Sequence, residues 1–157
     1  NAKNRLVLDL LSRALDSRYL VSIREEKGGT YGVQVAGSIE KYPVEVYNLA
    51  IMFDTNEQLA DELVDICLAE ISKIAENGPL ATDIENSREF LKKNYGNVLE
   101  NNSGWMSAIT RWYDEGYNYK ENYLPLVESI TYEDVQALAQ KILEDNNYAK
   151  VIMRPAK

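Results

Sequence analysis

The sequence predicts an α+β fold in which helices pack on one face of a small, mainly antiparallel sheet. Two stretches of alternating apolar residues are joined by a linker short enough for a hairpin. Segments with apolar residues at three- and four-residue steps, typical of helices, precede and follow them. No repeat or low-complexity tract divides the 157 residues. The simplest account is therefore one two-layer domain with the element order α-β-β-α-α-α-α-β.

The first three elements are predicted from these patterns. An amphipathic helix is predicted over residues 4–23, and the pair Gly28-Gly29 ends it. The two strands are predicted over residues 31–39 and 44–53 as antiparallel neighbours. In the second strand the apolar alternation changes parity between Val46 and Leu49, as a β-bulge would produce.

Capping signals introduce the later helices. Thr55 and Gln58 have the spacing of a capping box before a helix that ends at Asn77, and Thr82 and Glu85 repeat it before a helix through about residue 101. A less regular aromatic segment follows over residues 105–125, with breaks at Gly116 and Pro125. A last helix begins at Thr131, and residues 148–153 are predicted to form the closing strand.

Composition excludes several classes of function. Seventeen basic and 25 acidic residues give a net charge of −8, which disfavours nucleic acid as a partner. No apolar run approaches the roughly 20 residues of a membrane helix. The chain has no histidine, which removes His-based zinc sites and Ser-His or Cys-His nucleophiles. The single Cys67 lies in an apolar helical stripe, which favours core packing, and the compartment is left open.

Paired acidic residues are the remaining candidates for acid/base chemistry. They occur at Glu25-Glu26, Asp61-Glu62 and Asp114-Glu115. Adjacent charges on helices are usually solvated, so we interpret these pairs as surface faces.

Two segments together resemble the second half-domain unit of the zinc peptidases of the pitrilysin and insulinase family. One is NRLVLDLLSRALDSRYLVSIREEKGGTYGV, residues 4–33, where a helix ends in Arg-Glu, passes through a glycine turn and enters a strand with Tyr at its start. The other is SITYEDVQALAQKIL, residues 129–143, which resembles the late helix of that family. The resemblance spans essentially the whole chain.

The resemblance implies a division of labour between two halves of a zinc metalloendopeptidase. The catalytic half carries zinc on an HxxEH motif, and a homologous half without zinc ligands closes the peptide chamber. This chain has no HxxEH, so it is similar to the non-catalytic half and is expected to be inactive alone, with no catalytic residue and no bound metal. The zinc would belong to a catalytic half in the same chain or in a partner chain.

We interpret residues 1–157 as a single domain, an excised C-terminal fragment of a longer peptidase. The chain begins without Met, and three strands are few for four or five helices, so an upstream strand is expected to be missing. Such a unit could form a homodimer through surfaces meant for its missing half.

Arg24 and Tyr31 are the candidate substrate-binding residues. By the resemblance, their guanidinium and phenol groups donate hydrogen bonds to the peptide substrate backbone near the scissile bond. The alternative is local: Arg favours helix ends, Gly ends helices and Tyr favours strands. Two alternative functions stay open, an inactive structural or assembly subunit of the same family and an unrelated α+β oligomerisation module. The aromatic segment is a wall of the peptide chamber or, by the simpler interpretation, core packing.

Overall fold

The computed structural model describes residues 1–154, which fold into helices packed on a two-stranded antiparallel sheet. The predicted α+β class is confirmed, and helix dominates. The elements are α1 (Ala2–Tyr19) with a π-helical extension (Leu20–Glu25), β1 (Val33–Glu40), β2 (Val46–Phe53), α2 (Ala60–Asn77), α3 (Ala81–Leu99), α4 (Asn102–Glu115), α5 (Tyr119–Ser129) and α6 (Tyr132–Asp145).

One face of the sheet packs on the helices. The register runs without interruption from Val33 opposite Phe53 to Glu40 opposite Val46. Val33, Val35 and alternate residues of β2 pack against the helical core, and α1 lies across this face. Gly37 marks the closest approach, because a Cβ there would lie 2.6 Å from Leu8 Cγ. The two predicted layers are therefore present.

The core is centred on α1. Its apolar stripe is completely buried at Leu10, Leu11, Ala14 and Leu15, as the three- and four-residue spacing predicts. The stripe ends at Tyr19, whose buried hydroxyl donates a hydrogen bond of 2.9 Å to the Cys67 carbonyl oxygen of α2. This hydrogen bond satisfies the one polar atom of the buried tyrosine side chain.

Cys67 lies in this core, as predicted, and is 4% exposed. Burial raises the pKa of its thiol to about 12. A thiol with so high a pKa carries almost no thiolate at neutral pH, so Cys67 acts as a small apolar side chain.

A buried charge cluster joins the first three helices. The Arg18 guanidinium lies 3.5 Å from a Glu70 carboxylate oxygen of α2 and 3.3 Å from an Asp83 oxygen of α3. All three side chains are at most 14% exposed. Glu70 also accepts a hydrogen bond of 2.6 Å from the more exposed Lys73. The cluster therefore links α1 to both α2 and α3 through buried ion pairs.

Two strand predictions are wrong. The predicted bulge between Val46 and Leu49 is absent from the continuous β1–β2 ladder, and the parity change arises because Val46 lies on the outer sheet face, 53% exposed. Residues 148–153 form no strand, since no sheet edge in residues 1–154 pairs with them. Lys150 and Arg154 instead form ion pairs with Asp61 at the start of α2.

A capping box forms at the start of α6 and not at the two predicted places. The Thr131 hydroxyl accepts from the Asp134 N–H, and the Asp134 carboxylate accepts from the Thr131 N–H. Thr55 and Thr82 do not cap their helices. The Asn56 side chain instead accepts from the Leu59 N–H before α2. Several side chains near the start of α2 could accept a hydrogen bond from its first N–H groups, and residue spacing alone does not select among them.

The aromatic segment divides into two helices. Gly116 ends α4 in the left-handed conformation with φ of 66°, as its predicted role as a break requires. Pro125 lies inside α5 and does not end it. Tyr119 and Tyr123 of α5 are buried, and both stack with Tyr95 of α3. Core packing is therefore the role of these tyrosines.

Adding a methyl group at Gly37 should destabilise the domain. We expect Gly37→Ala to cost about 1–3 kcal/mol, because its Cβ would overlap Leu8 and the Ser12 hydroxyl and push α1 from the sheet. Gly32→Ala is the matched control, since nothing lies within 4 Å of a Cβ there. Urea unfolding measures both, and equal midpoints for the two variants would contradict the close approach.

Candidate functional site

The candidate site is the segment from Arg24 to Tyr31, called here the Arg24–Tyr31 turn. It begins in the π-helical extension, where the Glu26 N–H donates 3.0 Å to the Val21 carbonyl, a five-residue step. Such π-helical turns are rare and frequently occur at functional sites. Ile23, fully buried, anchors the extension in the core while Arg24 beside it is exposed.

The two glycines give the turn its path. Gly28 has φ of 60°, a conformation that favours glycine, and its N–H donates 3.1 Å to the Arg24 carbonyl. Gly29 then passes close to α2, where a Cβ on it would lie 2.7 Å from Leu59 Cδ1 and 3.4 Å from Leu63 Cδ1. The turn therefore rests on α2 through backbone that carries no side chain.

Side-chain contacts hold the remaining positions of the turn. Lys27 forms an ion pair of 2.6 Å with Glu62 of α2, and solvent screens this exposed pair, so it contributes little to stability. The Thr30 hydroxyl donates to the Gly32 carbonyl at 2.8 Å and accepts from the Gly32 N–H at 3.2 Å. These contacts fix the chain immediately before and after the glycines.

Arg24 and Tyr31 lie at the two ends of this anchored turn. Tyr31 is 99% exposed and Arg24 is also exposed. Neither side chain forms a hydrogen bond or ion pair with any other group in residues 1–154. The turn thus presents a guanidinium with five N–H donors and a phenol that can donate or accept, both available to an external acceptor.

The paired acidic residues are engaged in surface ion pairs or are exposed. Asp61 lies beside Lys150, whose hydrogen bond lowers the pKa of that carboxyl. Glu115 accepts two hydrogen bonds of 2.6 and 2.7 Å from Arg5, and this contact likewise lowers its pKa. Glu25 and Glu26 are exposed. A general acid needs a raised pKa, so the geometry of Asp61 and Glu115 fits ion pairing rather than proton transfer.

Residues 1–154 do not provide a zinc site. The chain contains no histidine, and within residues 1–154 no three Cys, Asp or Glu side chains are grouped so that they could hold a metal ion. Its cysteine is buried in the core. The residues present therefore do not fit a zinc ion. In the same range no helix is long and apolar enough to cross a bilayer.

Two features of the structure went unpredicted. One is the Arg18 cluster, for which the sequence does contain a signal. Glu70 stands three residues after Cys67, at a core-facing position of the apolar stripe of α2, where a charged residue needs a partner. The other is the exposure of the large apolar side chains of α4, and their helical spacing alone does not say which side of the helix faces the core.

The fold and the unused donors of the turn define a class: an α+β domain with an exposed polar turn. The sequence profile described as "Peptidase M16 inactive domain" matches residues 1–91. The match covers more than half of the chain, which therefore belongs to this family. The resemblance to the pitrilysin and insulinase zinc peptidases is confirmed, and an unrelated module is excluded.

Three relatives illustrate the similarity. A "Zinc protease PQQL-like" of Arabidopsis thaliana is 25% identical over 168 residues, covering 96% of this chain and 18% of its own length. The periplasmic protease PqqL from Escherichia coli has a similar fold, with a TM-score of 0.74, 20% identity and coverage of 90% of this chain and 16% of that one. The peptidase M16 inactive domain from Pseudomonas fluorescens has a TM-score of 0.70 and 18% identity, and the match covers 88% of this chain and 34% of that one. The chain thus spans about a sixth to a third of these proteins.

Proposed function

We propose that this domain is the non-catalytic half, or part of it, of a zinc metalloendopeptidase. In this proposal it closes the peptide chamber and contacts the substrate backbone near the scissile bond through Arg24 and Tyr31. Family membership supports the peptidase class. The zinc and the chemistry that depends on it would reside on a catalytic half, in the same polypeptide or in a partner chain, since the described part of this chain holds no group of residues that fits the metal.

One observation carries the assignment of the two residues. Both ends of an anchored turn carry exposed donors that no group in residues 1–154 uses. A tyrosine that served only the strand would be expected to pack on a neighbour, whereas Tyr31 is 99% exposed and precedes β1. Donors held ready by a rigid turn fit an external acceptor such as a peptide carbonyl.

The chemistry of peptide hydrolysis supplies such an acceptor. Negative charge develops on the scissile carbonyl oxygen in the transition state, and preorganised donors stabilise it more than they stabilise the ground state. The Tyr31 O–H and the Arg24 N–H groups can donate there or to neighbouring backbone carbonyls. Contacts to the backbone would hold peptides of different sequence in the same position.

The test is peptide cleavage by the full-length protein that carries this domain. We expect Arg24→Ala to lower kcat by about a hundred- to a thousandfold at unchanged zinc content and melting temperature. Glu26→Ala is the control, since Glu26 is an exposed charge on the same turn. Equal turnover in the Arg24→Ala and wild-type proteins would mean that Arg24 does not act on the substrate and only favours the end of the helix. A wild type without zinc and without turnover would instead identify an assembly subunit.

A further inference from the structure

Helix α4 presents its large apolar side chains to solvent. No residue of this helix is buried. Five of its large side chains are between 43% and 83% exposed: Trp105, Met106, Ile109, Trp112 and Tyr113, called here the α4 face. Both tryptophans of the chain are among them. So large an exposed apolar cluster is uncommon on a domain that works alone and marks an interaction surface.

The inner side of α4 explains this orientation. A Cβ on Gly104 would lie 1.9 Å from the Val98 carbonyl oxygen, so the first turn of α4 meets the end of α3 at a distance that only glycine allows. Ala108, one turn later, packs partly against the core. The Trp105 indole donates 2.7 Å to the Leu99 carbonyl, which fixes its ring. Small residues therefore face inward, and the apolar side chains outward.

The α4 face and the Arg24–Tyr31 turn belong to different parts of the domain. The turn rests on α2, where Gly29 approaches Leu59. Helix α4 instead packs on α3 and α5. The helices that support the α4 face are therefore not the helix that supports the turn. For this reason the α4 face suits contact with a neighbouring domain better than contact with the peptide that Arg24 and Tyr31 bind.

We propose that the α4 face is the docking surface for another domain of the same, longer polypeptide. This inference rests on the proposed function, in which the present domain is one part of a larger peptidase. The length of the related chains supports the choice of occupant, because the matched region is only 16% of the Escherichia coli protease and 34% of the Pseudomonas fluorescens protein. Each of those chains has about twice the matched length or more outside the matched region, which leaves room for adjacent domains.

The chemistry of the face defines its partner surface. Between Ile109 and Glu115 the only charged residues are Arg111 and Asp114, which have opposite charges, although the whole chain carries a charge of −8. The docking domain would therefore offer an apolar and nearly neutral surface, as in interfaces whose cores are depleted in charge and enriched in aromatic residues and Met. Trp112 and Met106, 60% and 65% exposed, would both be covered by that domain.

Hydroxyl-radical footprinting of the full-length protein tests this inference, because Met, Trp and Tyr side chains react readily when exposed. We expect Met106 and Trp112 to be oxidised several-fold more slowly than in the 157-residue chain, while Tyr31 stays reactive. Oxidation of Met106 and Trp112 at the same rate in both proteins would overturn the proposal. Protection that disappears on dilution to monomer would also overturn it, since a second copy would then be the occupant.

A double variant and a matched control make the test more specific, and both retain Trp112, whose oxidation is measured. The double change Met106→Glu and Tyr113→Glu should raise Trp112 oxidation several-fold in the full-length protein and leave the melting temperature of the 157-residue chain unchanged, since both side chains are exposed there. Leu80→Glu, at 57% exposure in the loop before α3, is the matched control and should leave Trp112 protected. Equal oxidation of Trp112 in the double variant and the control would contradict the assigned face. The proposed function fails separately, through unchanged turnover of the Arg24 variant.

Discussion

Tyr31→Phe in the full-length protein should lower kcat for peptide cleavage by about a hundred- to a thousandfold, the range measured for loss of one preorganised donor. The substitution removes a single O–H and keeps the ring. Because Tyr31 is 99% exposed and makes no side-chain hydrogen bond in residues 1–154, the fold does not depend on that hydroxyl. The melting temperature should therefore stay the same. Steady-state kinetics on a quenched peptide, at equal zinc content, measures the effect.

Tyr148→Phe is the matched control for this prediction. Tyr148 is 64% exposed in the segment after α6, so its hydroxyl is as dispensable to the fold as that of Tyr31. We expect its turnover to equal that of the wild type. If Tyr31→Phe also cleaved at the wild-type rate, Tyr31 would have no part in the reaction. A rise in KM with unchanged kcat would assign it to substrate binding without a transition-state role.

Arg18→Met should destabilise the domain by about 3 kcal/mol, near the lower end of the range for breaking a buried ion pair. The substitution leaves Asp83, 9% exposed, without its cation. Glu70 loses Arg18 but keeps Lys73 at 2.6 Å, and for that reason the expected loss is not larger. Urea unfolding of the 157-residue chain gives the change in free energy, and the slope of the transition should not change.

Arg154→Met provides the comparison for a surface ion pair. Arg154 contacts Glu57 at 2.7 Å, with side-chain exposures of 45% and 58%, so its loss should cost at most about 1 kcal/mol. A loss for Arg18→Met as small as that for Arg154→Met would mean that solvent already screens the buried cluster. Replacing Asp83 by Asn in the Arg18→Met background should recover part of the stability, because it removes the uncompensated charge.

The elements supported by strong periodicity were predicted correctly. The apolar stripe of α1 and the alternation in Val33, Val35 and the facing residues of β2 reflect burial on one side, and that pattern is written locally in the sequence. The start of the last helix at Thr131 was likewise predicted from local residues, and Thr131 is the residue that caps α6. The closing strand over residues 148–153 was wrong because strand formation also needs a neighbour, and periodicity carries no information about whether a partner edge is present.

The candidate site was predicted in part. Arg24, the glycines and Tyr31 could be selected from the sequence, since their spacing resembles the family pattern. The π-helical form of the extension could not be predicted, because its hydrogen-bond step depends on how Ile23 and the glycines pack on the core. The outward orientation of Trp105 and Trp112 also escaped prediction. It depends on the close approach of Gly104 to Val98, a contact between two helices rather than a property of either one.

The central claim is that Arg24 and Tyr31 act together on one substrate, and a double-mutant cycle on kcat/KM tests it most directly. The cycle compares wild type, Arg24→Ala, Tyr31→Phe and the double variant of the full-length protein at equal zinc content. Residues that hold the same peptide group should be coupled, so the double variant should lose clearly less activity than the product of the two single losses. Wild-type values of kcat/KM in all three variants would contradict the claim.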